Sequence, residues 1–112
     1  MDIYGIKNCD SCRKARNWLE ASGRDFRWHD LREDGVDEAL LGRWLDAVGP
    51  DKLVNRRSTT WRNLEEAERK RAQARESALT LLLQHPTLIK RPIFDVHGRI
   101  MVGFNETVKQ AL

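Results

Sequence analysis

Ile3-Tyr4-Gly5-Ile6-Lys7-Asn8-Cys9-Asp10-Ser11-Cys12-Arg13-Lys14-Ala15-Arg16-Asn17-Trp18-Leu19 contains both cysteines of the chain. Residues 2–6 are mostly apolar and read as a buried strand that runs out at Lys7-Asn8. Residues 11–22 read as a helix, with Ala15, Leu19 and Ser22 on one face and Gly23 as its stop. A strand, a sharp turn, two thiols and a helix start together favour a reactive thiolate. The thiolate is the nucleophile, and a free cysteine titrates near ~8.5. Cys9 lies just ahead of the helix, where unpaired N–H groups and the macrodipole favour negative charge. Lys7, Arg13 and Lys14 add positive charge to the same turn. Cys12, one helical turn on, can face Cys9 and resolve a mixed disulfide formed there. The chemistry implied is thiol–disulfide exchange, with Cys9 and Cys12 as catalytic residues.

Outward from this corner, residues 26–31 alternate in apolar character and read as a second strand. Strand, crossover helix and strand form a right-handed unit with parallel strands. Asp37 opens a helix to about Val48, whose stripe is Val36, Leu40, Leu41, Trp44, Leu45 and Val48, and Gly49-Pro50 ends it. Residues 53–60 read as a polar loop. Residues 61–75 read as one exposed helix, supported by Glu65–Arg69 and Glu66–Lys70 pairs. Residues 77–84 read as a short helix with Leu79, Leu82 and Leu83 inward, stopped by His85-Pro86. Residues 88–96 and 99–104 form an antiparallel hairpin through a His97-Gly98 turn. Asn105 caps a last helix, 106–112, with Glu106 at its positive end.

The order is therefore βαβ, then helices, then ββα. This predicts an α/β fold of thioredoxin/glutaredoxin type, with a mixed four-stranded sheet and an all-helical insertion. One domain spans 1–112, its thioredoxin-like parts at about 1–32 and 86–112 and the insertion at about 36–85. The fold by itself implies no chemistry.

The chain has 112 residues, 40% of them hydrophobic, and a net charge of +3. This is a globular composition. No apolar run approaches the ~20 residues that cross a bilayer, so no membrane association is expected. The N-terminus has no basic segment followed by an apolar stretch, so a cytoplasmic location is expected. In that compartment a Cys-x-x-Cys pair reads as catalytic, redox-sensing or metal-binding rather than as a permanent staple. Zinc needs four ligands, and His29, His85 and His97 are too scattered to supply a second pair, so no metal is expected. The mixed charges of residues 62–71 read as a solvated helix face, and no nucleic-acid motif is evident. A small anion needs only two or three cations. The tryptophans read as core or groove residues, with Trp61 the one expected to line a cleft.

The segment Tyr4 to Ala15 resembles the active-site segment of the arsenate reductase/Spx superfamily, and most of all its YffB-like members. The resemblance returns at Asn55-Arg56-Arg57-Ser58-Thr59-Thr60-Trp61-Arg62-Asn63-Leu64, at residues 85–93 and at Val102-Gly103-Phe104. It implies that Cys9 is the catalytic cysteine. It implies that Arg91 contacts an oxyanion and that Pro92 is a cis-proline leaving backbone groups for a thiol substrate. Arg57 or Arg56 is a further anion contact, and Asn8 and Arg13 complete the expected binding set. It also implies a glutathione-dependent thiol reductase with no tightly bound cofactor, in which glutathione is co-substrate and glutathione or glutaredoxin is the thiol partner of a small anionic or thiol substrate. Arsenate reduction is an alternative. The chain has Val102-Gly103-Phe104-Asn105 where the arsenate reductases carry a further arginine, and this weakens it. Cys12 stands where Spx proteins commonly have a second cysteine, so an Spx-like redox-switched protein that binds RNA polymerase is the other alternative.

Overall fold

The computed structural model describes all 112 residues. The chain divides into two compact units, one of Met1–Gly35 and Arg91–Leu112, the other of Val36–Lys90.

The first unit carries a four-stranded sheet. Its elements are β1 (Asp2–Gly5), α1 (Asp10–Ala21), β2 (Arg27–Asp30), β3 (Ile93–Val96), β4 (Arg99–Val102) and a C-terminal helix, Glu106–Ala111, which is α7 in chain order. The strand order is β2-β1-β3-β4. β1 and β2 are parallel, with Ile3 opposite Trp28; β3 runs antiparallel to both β1 and β4. This is the α/β, thioredoxin-like arrangement that the element order predicts.

The pleat decides what the sheet buries. Ile3 and Phe94 pair across β1 and β3 and point to one face, where they meet Ala15 and Leu19 of α1 and Val108 of α7. All but Val108 are fully buried. Ser22, expected beside Ala15 and Leu19, is exposed, because α1 stops at Ala21 and the Ser22 hydroxyl turns back to the Trp18 carbonyl at 2.8 Å. The hairpin turns at His97 (φ 53°) and Gly98 (φ 88°), two consecutive left-handed residues as a two-residue turn of type I′ requires. Asp95 accepts from the Gly98 N–H at 2.8 Å and braces that turn. Asn105 caps α7 by accepting from the Val108 N–H at 2.9 Å.

The second unit is helical: α2 (Glu38–Val48), α3 (Pro50–Leu53), α4 (Thr59–Asn63), α5 (Glu66–Arg69) and α6 (Arg75–Gln84), with short 3₁₀ turns at Lys70–Gln73 and Pro86–Leu88. Asp37 caps α2 through the Leu40 N–H at 2.7 Å, and Gly49 (φ 82°) turns its end into α3. Leu41, Trp44, Leu45, Leu79, Leu81 and Leu82 are buried. Leu83, expected inward, is half-buried, and Leu81 takes the inner place. Residues 86–90, grouped by sequence with the sheet, belong to this unit. Asn55 N–H bonds to the Leu88 carbonyl at 2.7 Å and Lys90 N–H to the Leu53 carbonyl at 2.8 Å.

The single helix expected over 61–75 is three short pieces. Leu64 and Glu65 are extended (ψ 144° and 159°), and Leu64 is buried by that break. Ala74 is extended again, with Ala72 buried just before it. Burying Leu64 and Ala72 outweighs the weak charge pairs that argued for continuity, each worth only about 0.2–0.5 kcal/mol. Arg69 does not pair with Glu65; it donates to the Trp61 carbonyl at 3.2 Å and the Arg62 carbonyl at 2.8 Å, so it closes the broken segment.

Candidate functional site

Cys9 is the residue from which α1 starts. Its backbone is extended (φ −103°, ψ 124°), its carbonyl accepts from the Arg13 N–H at 2.9 Å, and its own N–H closes a tight turn onto the Ile6 carbonyl at 3.2 Å. The sulfur is therefore presented at the positive end of a 12-residue helix. Cys9 is partly exposed and Cys12 fully buried, and both are free thiols.

The two sulfurs are electrostatically unequal. Burial pushes the Cys9 thiol up. The Cys12 amide, the Cys12 thiol and the Arg91 guanidinium push it down and together prevail, so Cys9 ionises below the ordinary thiol value. Burial pushes the Cys12 thiol up as well; the Ile6 backbone opposes this only in part, and negative charge on Cys9 adds to it, leaving Cys12 at about 12. Cys9 therefore gives up its proton more readily than an ordinary thiol, and Cys12 far less readily.

Arg91 is the cation that acts on Cys9. Two of the three cations that the sequence crowds around the turn are engaged elsewhere: Lys7 pairs with Glu33 at 2.8 Å, and Arg13 pairs with Asp10. Lys14 and Asn8 are exposed. Pro92 is fully buried, its bond to Arg91 is cis, and its carbonyl accepts from the Gly103 N–H at 2.8 Å. Arg56 and Arg57 lie in the helical unit. Arg56 is held by Asp51 at 3.2 Å and stacks on Trp61, 5.4 Å from the ring centre, with Arg69 also over that ring at 5.8 Å. The Arg57 side chain is exposed. Within the helical unit, Arg56 is thus engaged with Asp51 and Trp61.

Two positions escaped the sequence reading. Asp30, at the end of β2, is 5% exposed and accepts from the N–H groups of Lys7 (3.3 Å), Arg32 (2.8 Å) and Glu33 (3.1 Å). Burial pushes its carboxyl up, the three N–H donors push it down, and the net direction is down. Through Lys7 it ties the cysteine turn to β2. Gly5 is the other. A Cβ there would fall on the Cys12 sulfur and within 2.7 Å of Trp28 Cη2, closer than real Cβ contacts come. The Asp30 tie to Lys7 spans 23 residues and Gly5 meets Cys12 and Trp28 from other elements, so neither role has a local signal. His29 bonds to Asp2 at 2.8 Å and stacks on Tyr4, and His85 lies 3.5 Å from Glu68. No three His, Cys, Asp or Glu side chains converge as a metal site would require.

A cysteine at the head of α1 and a cis-proline ahead of β3, in a β2-β1-β3-β4 sheet, define a thioredoxin-like domain. The chain belongs to the ArsC family, whose model matches residues 4–112. It is similar to a solved YffB protein, with a TM-score of 0.89, 38% identity and coverage of 98% of this chain and 96% of that one. A solved arsenate reductase (ArsC) related protein from Brucella melitensis is 44% identical, with a TM-score of 0.80 over 98% of this chain and 91% of the other. The global transcriptional regulator Spx 2 of Bacillus cereus is 31% identical over 110 residues, 93% of this chain and 79% of that protein.

Proposed function

We propose that the protein is a thiol oxidoreductase that uses glutathione as its reductant. The observation that carries this is the unequal pair: a partly exposed Cys9 stabilised as thiolate by Cys12 and Arg91, beside a Cys12 that keeps its proton. The Cys9 thiolate attacks the glutathione sulfur of a glutathione mixed disulfide. A Cys9–sulfur bond forms, the old disulfide breaks, and the other sulfur leaves as a thiolate that takes a proton from solvent. A glutathione thiolate then attacks the glutathione sulfur held on Cys9, giving oxidised glutathione and restoring the Cys9 thiolate. The Arg91 fork suits the carboxylates of such a substrate, since it binds two oxygens at once. Family membership supports thiol chemistry at this cysteine.

Reduction of a glutathione mixed disulfide, followed with excess glutathione, tests the reading. Turnover is expected in the native protein and a loss of roughly a thousandfold or more in Cys9→Ser. Full activity in Cys9→Ser overturns it. Arsenate supplied in the same assay separates the arsenate reductase alternative. That alternative draws support from the Brucella relative's description, but the stretch Val102-Gly103-Phe104-Asn105 supplies no arginine, and the Asn105 side chain caps α7.

A second reading, a redox-switched partner of RNA polymerase, draws on the Spx 2 relative and on the presence of two cysteines in one helical turn. It requires a Cys9–Cys12 disulfide to change what the protein binds. A pull-down of RNA polymerase with reduced and oxidised protein decides it; no capture in either state removes it.

A further inference from the structure

The short loop from Ile6 to Cys9 joins β1 to α1 and carries the nucleophile. Its shape depends on where its backbone N–H and carbonyl groups find partners. The Cys9 N–H closes it internally on the Ile6 carbonyl, and the end of β2 holds it from outside. The Leu31 N–H donates to the Gly5 carbonyl at 2.8 Å, and the Lys7 N–H donates to Asp30 Oδ2 at 3.3 Å. The two oxygens of Asp30 serve different partners. Oδ1 accepts from the N–H groups of Arg32 and Glu33 and shapes the turn that follows β2, while Oδ2 takes the Lys7 N–H of the cysteine loop. Asp34 accepts from the Asp30 N–H at 3.0 Å, so the residue that holds the loop is itself held. Asp30 is almost fully buried, and burying a carboxylate is costly unless hydrogen bonds offset it. The local turn needs only Oδ1, which a neutral asparagine would supply without a buried charge. The second oxygen is accounted for by the loop.

We propose that Asp30 is a positioning residue for Cys9: its Oδ2 tethers the Lys7 N–H, and with it the stretch from Lys7 to Cys9, so that the Cys9 sulfur stays at the positive end of α1. This deepens the reductase reading, because it rests on Cys9 being the nucleophile. The stabilisation of an anion at a helix end falls off within one turn, so a thiolate on a loose loop loses part of it. The tether works against its own charge, since a carboxylate near a thiolate disfavours ionisation. Cutting the tether and removing the charge therefore move Cys9 in opposite directions. The exposed pair between the Lys7 ammonium and Glu33 lies in solvent and adds little hold.

The test is the pH profile of Cys9 alkylation by iodoacetamide, with the labelled cysteine identified by mass spectrometry. It reads the thiolate whether or not the protein turns over glutathione. Asp30→Asn keeps the shape of the side chain. Its oxygen retains the Arg32 and Glu33 N–H groups, its amide nitrogen then faces the Lys7 N–H, and the tether is lost together with one negative charge. The midpoint is expected to rise by about half a unit, the size of a helix-end effect, so alkylation slows about threefold at a pH below both midpoints. Loss of the charge alone would lower the midpoint, so a fall or no change overturns the tether. Glu33→Gln removes a carboxylate from the same turn and leaves the backbone hydrogen bonds in place. Its midpoint stays or falls, and a rise equal to that of Asp30→Asn overturns the role of Asp30. The native protein supplies a measurement that needs no variant. Hydrogen exchange of the Lys7 amide, followed by NMR, is expected to be about tenfold or more slower than in an unfolded chain. Exchange at the unfolded rate overturns the tether. Failure of the reductase assay with these results in hand would sink the glutathione reading and leave the tether standing.

Discussion

Arg91 shows most clearly how a single residue can change its meaning between sequence and structure. Three cations adjoin the cysteines in sequence, yet Lys7 is spent on Glu33 and Arg13 on Asp10, and it is Arg91, some eighty residues away, that stabilises the Cys9 thiolate. Arg91→Met should therefore raise the Cys9 alkylation midpoint by about one unit or more, the usual effect of losing an opposite charge a few ångströms away. Arg13→Met should leave it nearly unchanged. Equal shifts from the two variants would return the role to the local charge cluster.

At the level of elements, the caps that the sequence marks at Asp37 and Asn105 are the ones the structure uses. Asp37 and Asn105 each accept from the N–H three residues on, and Ser58 does the same for Trp61 at 3.1 Å. Asn105 is the most consequential of these, because α7 is six residues long and brings Val108 into the core of the sheet. So short a helix has little stability of its own. Asn105→Ala should cost about 1 kcal/mol in urea unfolding, whereas Asn105→Asp or Asn105→Ser should cost much less. The 61–75 segment is the opposite case. Its spacing of charges fits one helix, but charges on a solvated face contribute too little to resist a break that buries Leu64.

Across the whole molecule, no helix is long and apolar enough to cross a membrane, and no large hydrophobic side chain is exposed. Acid stability is also a property of the whole fold, carried largely by carboxylates that folding holds ionised. The His29 hydrogen bond, opposed by burial, draws Asp2 below its ordinary value of 3.8; Asp30 ends below 3.8 because three N–H donors outweigh its burial. Both folded values are lowered, so the unfolded chain takes up protons first. Their contribution is complete above about pH 5 and drains away as pH falls through 3.8 toward the lower folded values. Urea midpoints measured between about pH 2 and 6 should show this fall, and Asp30→Ala should flatten it while lowering stability near neutrality by about 1–3 kcal/mol. An unaltered acid limb in that variant would remove Asp30 from the account. By itself the sequence determined the βαβ order at one end of the chain and the ββα order at the other, the cysteine turn at the head of α1, the hairpin at His97-Gly98 and the caps at Asp37 and Asn105. Each of these is set by interactions within a few residues, so a local pattern suffices to specify it. Only the tertiary structure decided that residues 86–90 join the helical unit, that residues 61–75 break twice, that Arg91 is the cation at Cys9, and that Gly5 makes room for the Cys12 sulfur. Those depend on which distant segments share a volume, and burial and packing settle that where a local pattern carries no record of it.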